Sequence, residues 1–243
     1  RPAKGFTPRH TFFALYAREE EEPAVTRVLE GILGEEDYVG PYGSQMPNHG
    51  LPRFRKCSFA AAYPFGIVSL EDEDVPVRVR IGGFNPLIPG DPEDSGIPVA
   101  ILKFELTNTT SRSVDCSICG NVENFIGFDG KYGQKVRNRN RFRQGVGMSG
   151  IYMYTEGTEP TAEQYGSMSL VVLEDDVSYN LGWRGWAIKH SWSERLINFW
   201  DDFSSDGRLE GYQGEGEDAP IASLAASVKL APGETRTITF LLT

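Results

Sequence analysis

The chain has few of the residues that build metal and redox sites: three cysteines and three histidines in 243 residues. An odd number of thiols in a chain this long fits a reducing compartment better than a disulfide framework. Cys116-x-x-Cys119 is half of a zinc motif, but the other thiol is Cys57, and His10, His49 and His190 are scattered. Zinc wants four converging ligands, and a redox pair wants its first thiolate at a helix N-terminus. On a strand, positions i and i+3 face opposite sides, so free, buried cysteines are expected and no metal or cofactor. Positive charge is also short, with 24 Lys and Arg against 34 Asp and Glu and a net charge of −10. That argues against a general nucleic-acid binder, which needs a basic face. No stretch of 18 apolar residues exists to form a membrane-spanning helix. G-x-S-x-G, H-E-x-x-H and P-loop motifs are absent, so nucleophilic, zinc-protease and NTPase chemistry lack local support. The opening RPAKGFTPRH has no signal-peptide core and no initiator Met. The expectation is an excised piece of a longer protein, and the free thiols lean towards a cytoplasmic location.

Strands dominate what is present. Residues 75–81 read VPVRVRI, with Val75, Val77, Val79 and Ile81 on one face, the period of a half-buried strand. Pro76 has no N–H to give a neighbour, which suggests an edge strand or a start at an edge. Residues 97–108 carry a second strand. Between them, 84–96 holds Pro86, Pro89 and Pro92, and each proline fixes its own φ and pushes its predecessor to extended geometry. This is a stiff surface loop. Further strands are expected at 11–17, 24–33, 58–62, 66–70, 114–126, 151–154, 167–173, 177–183, 221–230 and 235–242. The last two are joined by Ala231-Pro232-Gly233-Glu234, a connection of hairpin length. Leu196, Phe199, Trp200 and Phe203 recur at i, i+3, i+4 and i+7, with Ser191 and Glu194 spaced as a capping box and Gly207 as a stop. One helix is expected at about 192–205. With no repeat or linker, this predicts one domain over 1–243. Its fold class is all-β: a large two-sheet antiparallel β-sandwich with one short helical insertion.

Several motifs have a functional and a plain reading. Gly145, Gly147 and Gly150 match G-x-G-x-x-G, but a strand rather than a helix follows, so a dinucleotide site is not expected. Asp202, Ser204 and Asp206 resemble the start of a calcium loop whose twelfth position is Gln213 instead of Glu. A polar helix end is the better reading. Arg137, Arg139, Arg141 and Arg143 alternate with Asn138, Asn140 and Phe142. They suit a phosphate or carboxylate patch, or an acidic neighbouring domain, against the preferred reading of a solvated loop over 131–147. Glu71, Asp72, Glu73 and Asp74 are adjacent in a turn. A glycosidase needs two carboxyl groups facing each other about 5 to 10 Å apart, so a turn cluster is expected. Trp183, Trp186, Trp192 and Trp200 crowd into 18 residues. Trp183 and Trp186, flanked by glycines, are the candidates for a sugar-stacking platform, although core packing is the commoner fate of large aromatics.

One long block resembles a known family. Tyr63-Pro64-Phe65-Gly66, Leu70-Glu71-Asp72, Val75-Pro76-Val77, Phe84-Asn85-Pro86-Leu87-Ile88-Pro89, Asp91, Asp94-Ser95, Ile97-Pro98-Val99-Ala100 and Leu106-Thr107-Asn108 look like the N-terminal domain of the family 116 glycoside hydrolases. Asn198-Phe199-Trp200, Phe203 and Asp206-Gly207-Arg208-Leu209 resemble its helical insertion, and Ile221-Ala222-Ser223-Leu224 through Phe240 its closing strands. The resemblance implies a two-sheet sandwich placed before an (α/α)6 barrel that carries the Glu nucleophile and Asp acid/base of a retaining β-glucosidase or glucosylceramidase. No catalytic residue carries over to this chain. What it implies here is a non-catalytic domain whose partner is the C-terminal catalytic barrel of the same polypeptide, with its Pro-rich loop near the β-glucoside substrate. A carbohydrate-binding module or a stand-alone interaction protein are the alternatives.

Overall fold

The computed structural model describes residues 10–38, 48–128, 137–183, 194–212 and 220–243. In chain order the strands begin with β1 (Phe12–Glu19), β2 (Val25–Gly31), β3 (Arg53–Phe54), β4 (Lys56–Ala62), β5 (Phe65–Glu71) and β6 (Val77–Phe84). A short helix α1 (Pro92–Ser95) precedes β7 (Ala100–Asn108) and β8 (Val114–Glu123). Then come β9 (Asn138–Gly145), β10 (Met148–Thr155), β11 (Ser167–Val172) and β12 (Val177–Asn180). Helix α2 (Glu194–Asp206) leads to β13 (Ile221–Leu230) and β14 (Thr235–Leu242). Two sheets result, of six strands in the order β12-β13-β8-β1-β2-β3 and of eight in the order β4-β5-β6-β7-β14-β11-β10-β9. Every pairing is antiparallel except the short β2–β3 contact. The expected all-β two-sheet sandwich is the fold.

Alternation decides which faces meet. Val77 and Val79 of β6, Phe104 and Leu106 of β7, and Ile238 and Phe240 of β14 point inward from the eight-stranded sheet. Leu15, Ile118 and Leu224 meet them from the six-stranded sheet. All nine are at most 1% exposed, and each such side chain contributes roughly 1.5–3 kcal/mol of transfer free energy. The other face of the six-stranded sheet is also covered. Phe12, Ala14, Tyr16, Cys119 and Ala225 pack against Leu196, Phe199 and Phe203 of α2. The i, i+3, i+4, i+7 face of the helix is therefore its sheet-facing side. Gly207 ends α2 at φ +78°, its N–H donating to Phe203 O (2.9 Å), and a Cβ there would lie 2.6 Å from the Tyr16 ring. Ser191, the expected cap, lies outside the described residues.

Four expectations need correction. β6 is interior, paired on both sides by β5 and β7. Pro76 is tolerated because the strand begins after it, and its carbonyl accepts Thr109 N–H and Oγ1–H (both 3.0 Å). The arginine segment is not a solvated loop: 138–145 is β9, an edge strand whose inward side is Asn138, Asn140 and Phe142, with Asn138 Nδ2 donating to Asn124 O (2.8 Å) and Asn140 Nδ2 to Leu181 O (2.8 Å). The loop after β6 contains α1, whose Asp91 cap accepts from Glu93 N and Asp94 N, so the α-helices number two among the described residues. β3 went unforeseen. It is held by Arg53, which donates to Glu30 Oε2 (3.0 Å), Asn48 Oδ1 (3.0 Å) and the carbonyls of Asn48 and His49 (3.1 Å each).

Candidate functional site

Of the two tryptophans expected as a sugar platform, Trp183 is 1% exposed. It donates Nε1–H to Ser223 Oγ (2.7 Å), which in turn donates to Asn121 Oδ1 (2.6 Å). Its ring stacks on Phe199 at 4.8 Å with the planes 6° apart. It is a core residue beneath α2, and its face is not available to a sugar. Trp186 lies outside the described residues. Beside Trp183, α2, the end of β12 and the segment after α2 border a cleft of about 360 Å³ lined by Asn180, Asn198, Asp201, Asp202, Glu210 and Tyr212. Burial raises the Asp202 carboxyl above its ordinary value, against the Glu210 N–H that it accepts (3.2 Å).

The other motifs settle into structural roles. Cys116 and Cys119 of β8 face opposite ways, one into the inter-sheet core and one towards α2. Burial pushes Cys116 up to about 12 and Cys119 well above the ordinary thiol value. Gly145 and Gly150 lie in the β9–β10 hairpin, with Gly147 at φ +69° in its two-residue turn, so no helix N-terminus is there to hold a pyrophosphate. Among the described residues no group of three acidic, Cys or His side chains is placed to hold a metal ion. Asp206 Oδ1 instead accepts Arg208 N–H (2.9 Å). The acidic turn 71–74 is neutralised locally. Asp72 meets Arg55 (3.3 Å) and Arg27 (4.0 Å), Glu71 meets Arg78 (2.7 Å), Glu73 meets Lys56 (3.4 Å), and Asp74 meets Arg55.

What was not foreseen is the outer face of the eight-stranded sheet. The two sheets occupy one face each in meeting, and α2 takes the second face of the smaller sheet. No described element packs on the fourth. Successive register pairs carry an apolar row across it: Phe65 beside Phe84 (ring centroids 5.3 Å), then Ile101, Leu241, Val171 and Gly150, ending at Arg143. Thirteen large hydrophobic residues are exposed among the described residues, and seven belong to this face or the loops beside it. They are Phe65, Met148 and Leu173 on the face, Tyr63 in the β4–β5 turn, and Leu87, Ile88 and Ile97 in the Pro-rich loop. That loop is built, not slack. Ser95 Oγ donates to Ile88 O (3.1 Å) and accepts Ile88 N–H (2.9 Å), and Asn85 Nδ2 donates to Val99 O (3.0 Å). β4 adds an edge strand exposed at all seven positions.

Comparison with known proteins gives the family. No curated protein matches the chain. Among solved structures, a polysaccharide lyase matches with 12% identity and a TM-score of 0.45, over 97% of this chain and 25% of its own. A protein described as a kojibiose phosphorylase from human microbiome matches with 11% identity and a TM-score of 0.37, over 95% of this chain and 25% of its own. The chain thus spans about a quarter of either structure. The family model described as "beta-glucosidase 2, glycosyl-hydrolase family 116 N-term" matches residues 5–243. The chain therefore belongs to the N-terminal domain family of the family 116 glycosyl hydrolases.

Proposed function

We propose that residues 1–243 are one non-catalytic domain of a retaining β-glucosidase or glucosylceramidase-like enzyme. The domain packs on the C-terminal catalytic barrel of the same polypeptide through the outer face of the eight-stranded sheet. The observation that carries this reading is the Phe65–Phe84–Ile101–Leu241–Val171 row on a face that no described element covers. Burying it removes apolar area from water at roughly 25 cal/mol per Å². The stiff loop around α1 grows from Phe84 and Ile101, so a barrel seated on the row brings that loop to the rim of the active site, close to a bound β-glucoside. Catalysis belongs to the carboxylates of the barrel, and the domain supplies support and shape.

Hydrolysis of an aryl β-glucoside, measured on this chain and on the full-length gene product, tests the reading. Activity of the full-length protein only, with no glycan bound by the chain alone, is the expected result. Turnover by the chain alone would show a carboxylate pair within it and overturn the assignment.

A further inference from the structure

The last strand of the eight-stranded sheet offers a second surface, at the opposite end from β4. Glu156 N–H donates to Arg137 O (3.2 Å), one pair beyond β9. The alternation of an antiparallel ladder then turns the backbones of Arg139, Arg141 and Arg143 towards β10, and those of Asn140, Phe142 and Gln144 towards the open edge. The strand is rigid there. It keeps eight consecutive pairs with β10. Phe142 stacks on Tyr179 at 3.9 Å with the planes 6° apart, and Asn140 Nδ2 donates to Leu181 O (2.8 Å) and Pro220 O (3.2 Å).

On its outer face Arg141 lies over the Tyr154 ring at 5.2 Å and Arg143 over Tyr152 at 4.4 Å. In this acidic chain Arg78, Arg80, Arg139 and Arg208 each pair with a carboxylate. Arg141 and Arg143 meet none among the described residues. Arginines also guard edges against pairing, but these two sit over tyrosines on one face, and no described strand pairs with the backbone edge.

We propose that β9 receives an extended acidic segment of a partner protein, which adds to the sheet as a further strand with carboxylates opposite Arg141 and Arg143. Alternate residues of a strand lie about 6.8 Å apart, so acidic residues two apart match the two guanidinium groups. Both arginines fall in non-hydrogen-bonded pairs with the added strand, where facing side chains are closest. Their planar forks suit carboxylates. Arg143 stands at the far end of the apolar row, but the chemistry does not depend on the barrel-docking reading, and the isolated chain tests it without a barrel.

Fluorescence anisotropy of a labelled Thr-Val-Glu-Val-Glu-Val-Thr peptide, titrated with the 243-residue chain, tests it. Binding is expected for this peptide and not for its Lys-for-Glu counterpart. It should weaken about tenfold in Arg141→Gln/Arg143→Gln, from two exposed ion pairs. It should vanish when the peptide nitrogens facing β9 are methylated, a control that leaves the protein unaltered. No binding at millimolar peptide, or binding indifferent to methylation, would overturn the proposal. So would capture of phosphatidylserine vesicles by the arginines without peptide binding, which would assign the face to a membrane surface instead.

Discussion

Burial separates the three thiols. Cys57 is exposed, whereas Cys116 and Cys119 are buried with raised pKa values, and the thiolate is the reactive form. One thiol per chain is expected to label in the folded protein at neutral pH and three in denaturant, with Cys57→Ser abolishing the native signal. Asp202 gives a pH dependence. Its folded pKa stands above the ordinary carboxylate value, first through burial, so its charge costs stability above that pKa. The cost disappears as pH falls through it. Asp202→Asn is expected to raise the melting temperature at neutral pH and to change it little once the carboxyl is protonated. Asn108 matters through its amide, which donates to the carbonyls of Arg112 (2.7 Å), Leu230 (3.3 Å) and Ala231 (3.0 Å) and ties two turns together. Asn108→Ala strands those acceptors and is expected to cost about 2 kcal/mol or more by denaturant melting.

At the scale of elements, α2 covers a sheet face rather than forming a separate unit, and Phe203, 0% exposed, is its anchor. Phe203→Ala is expected to cost about 3–5 kcal/mol, read as a lower urea midpoint with an unchanged m-value. The helix face was legible in the sequence because one side of it is apolar at helical spacing. The bounds of β13 and β14 were legible to the residue, because two strand-forming runs flank a Pro-Gly turn, but that the turn joins strands of different sheets was not. β9 was not. Its inward positions are Asn138, Asn140 and Phe142, and an amide such as that of Asn140, which donates to carbonyls 41 and 80 residues away, carries no apolar signal. The arginine alternation on its other side was the available clue. Trp183 misled for the opposite reason. Its neighbouring glycines suggested an open loop, while its burial depends on Ser223 and Phe199, far along the chain.

At the scale of the molecule, two sheets and one helix cover three sheet faces and leave the fourth bare among the described residues. Its apolar row draws one residue from each of five strands between Phe65 and Leu241, so no sequence window contains it and only the register reveals it. The Pro-rich loop could be placed from the sequence, but not its position at the end of that row. The most direct measurement is aryl β-glucoside hydrolysis and thermal melting of the full-length protein carrying Phe84→Glu/Leu241→Lys, beside the same pair in the 243-residue chain. Both side chains lie on the outer face and outside the core clusters. The expected result is an isolated chain that melts as before and a full-length protein that loses activity and melts earlier. Full activity and an unchanged melt in the full-length variant would contradict docking through this face.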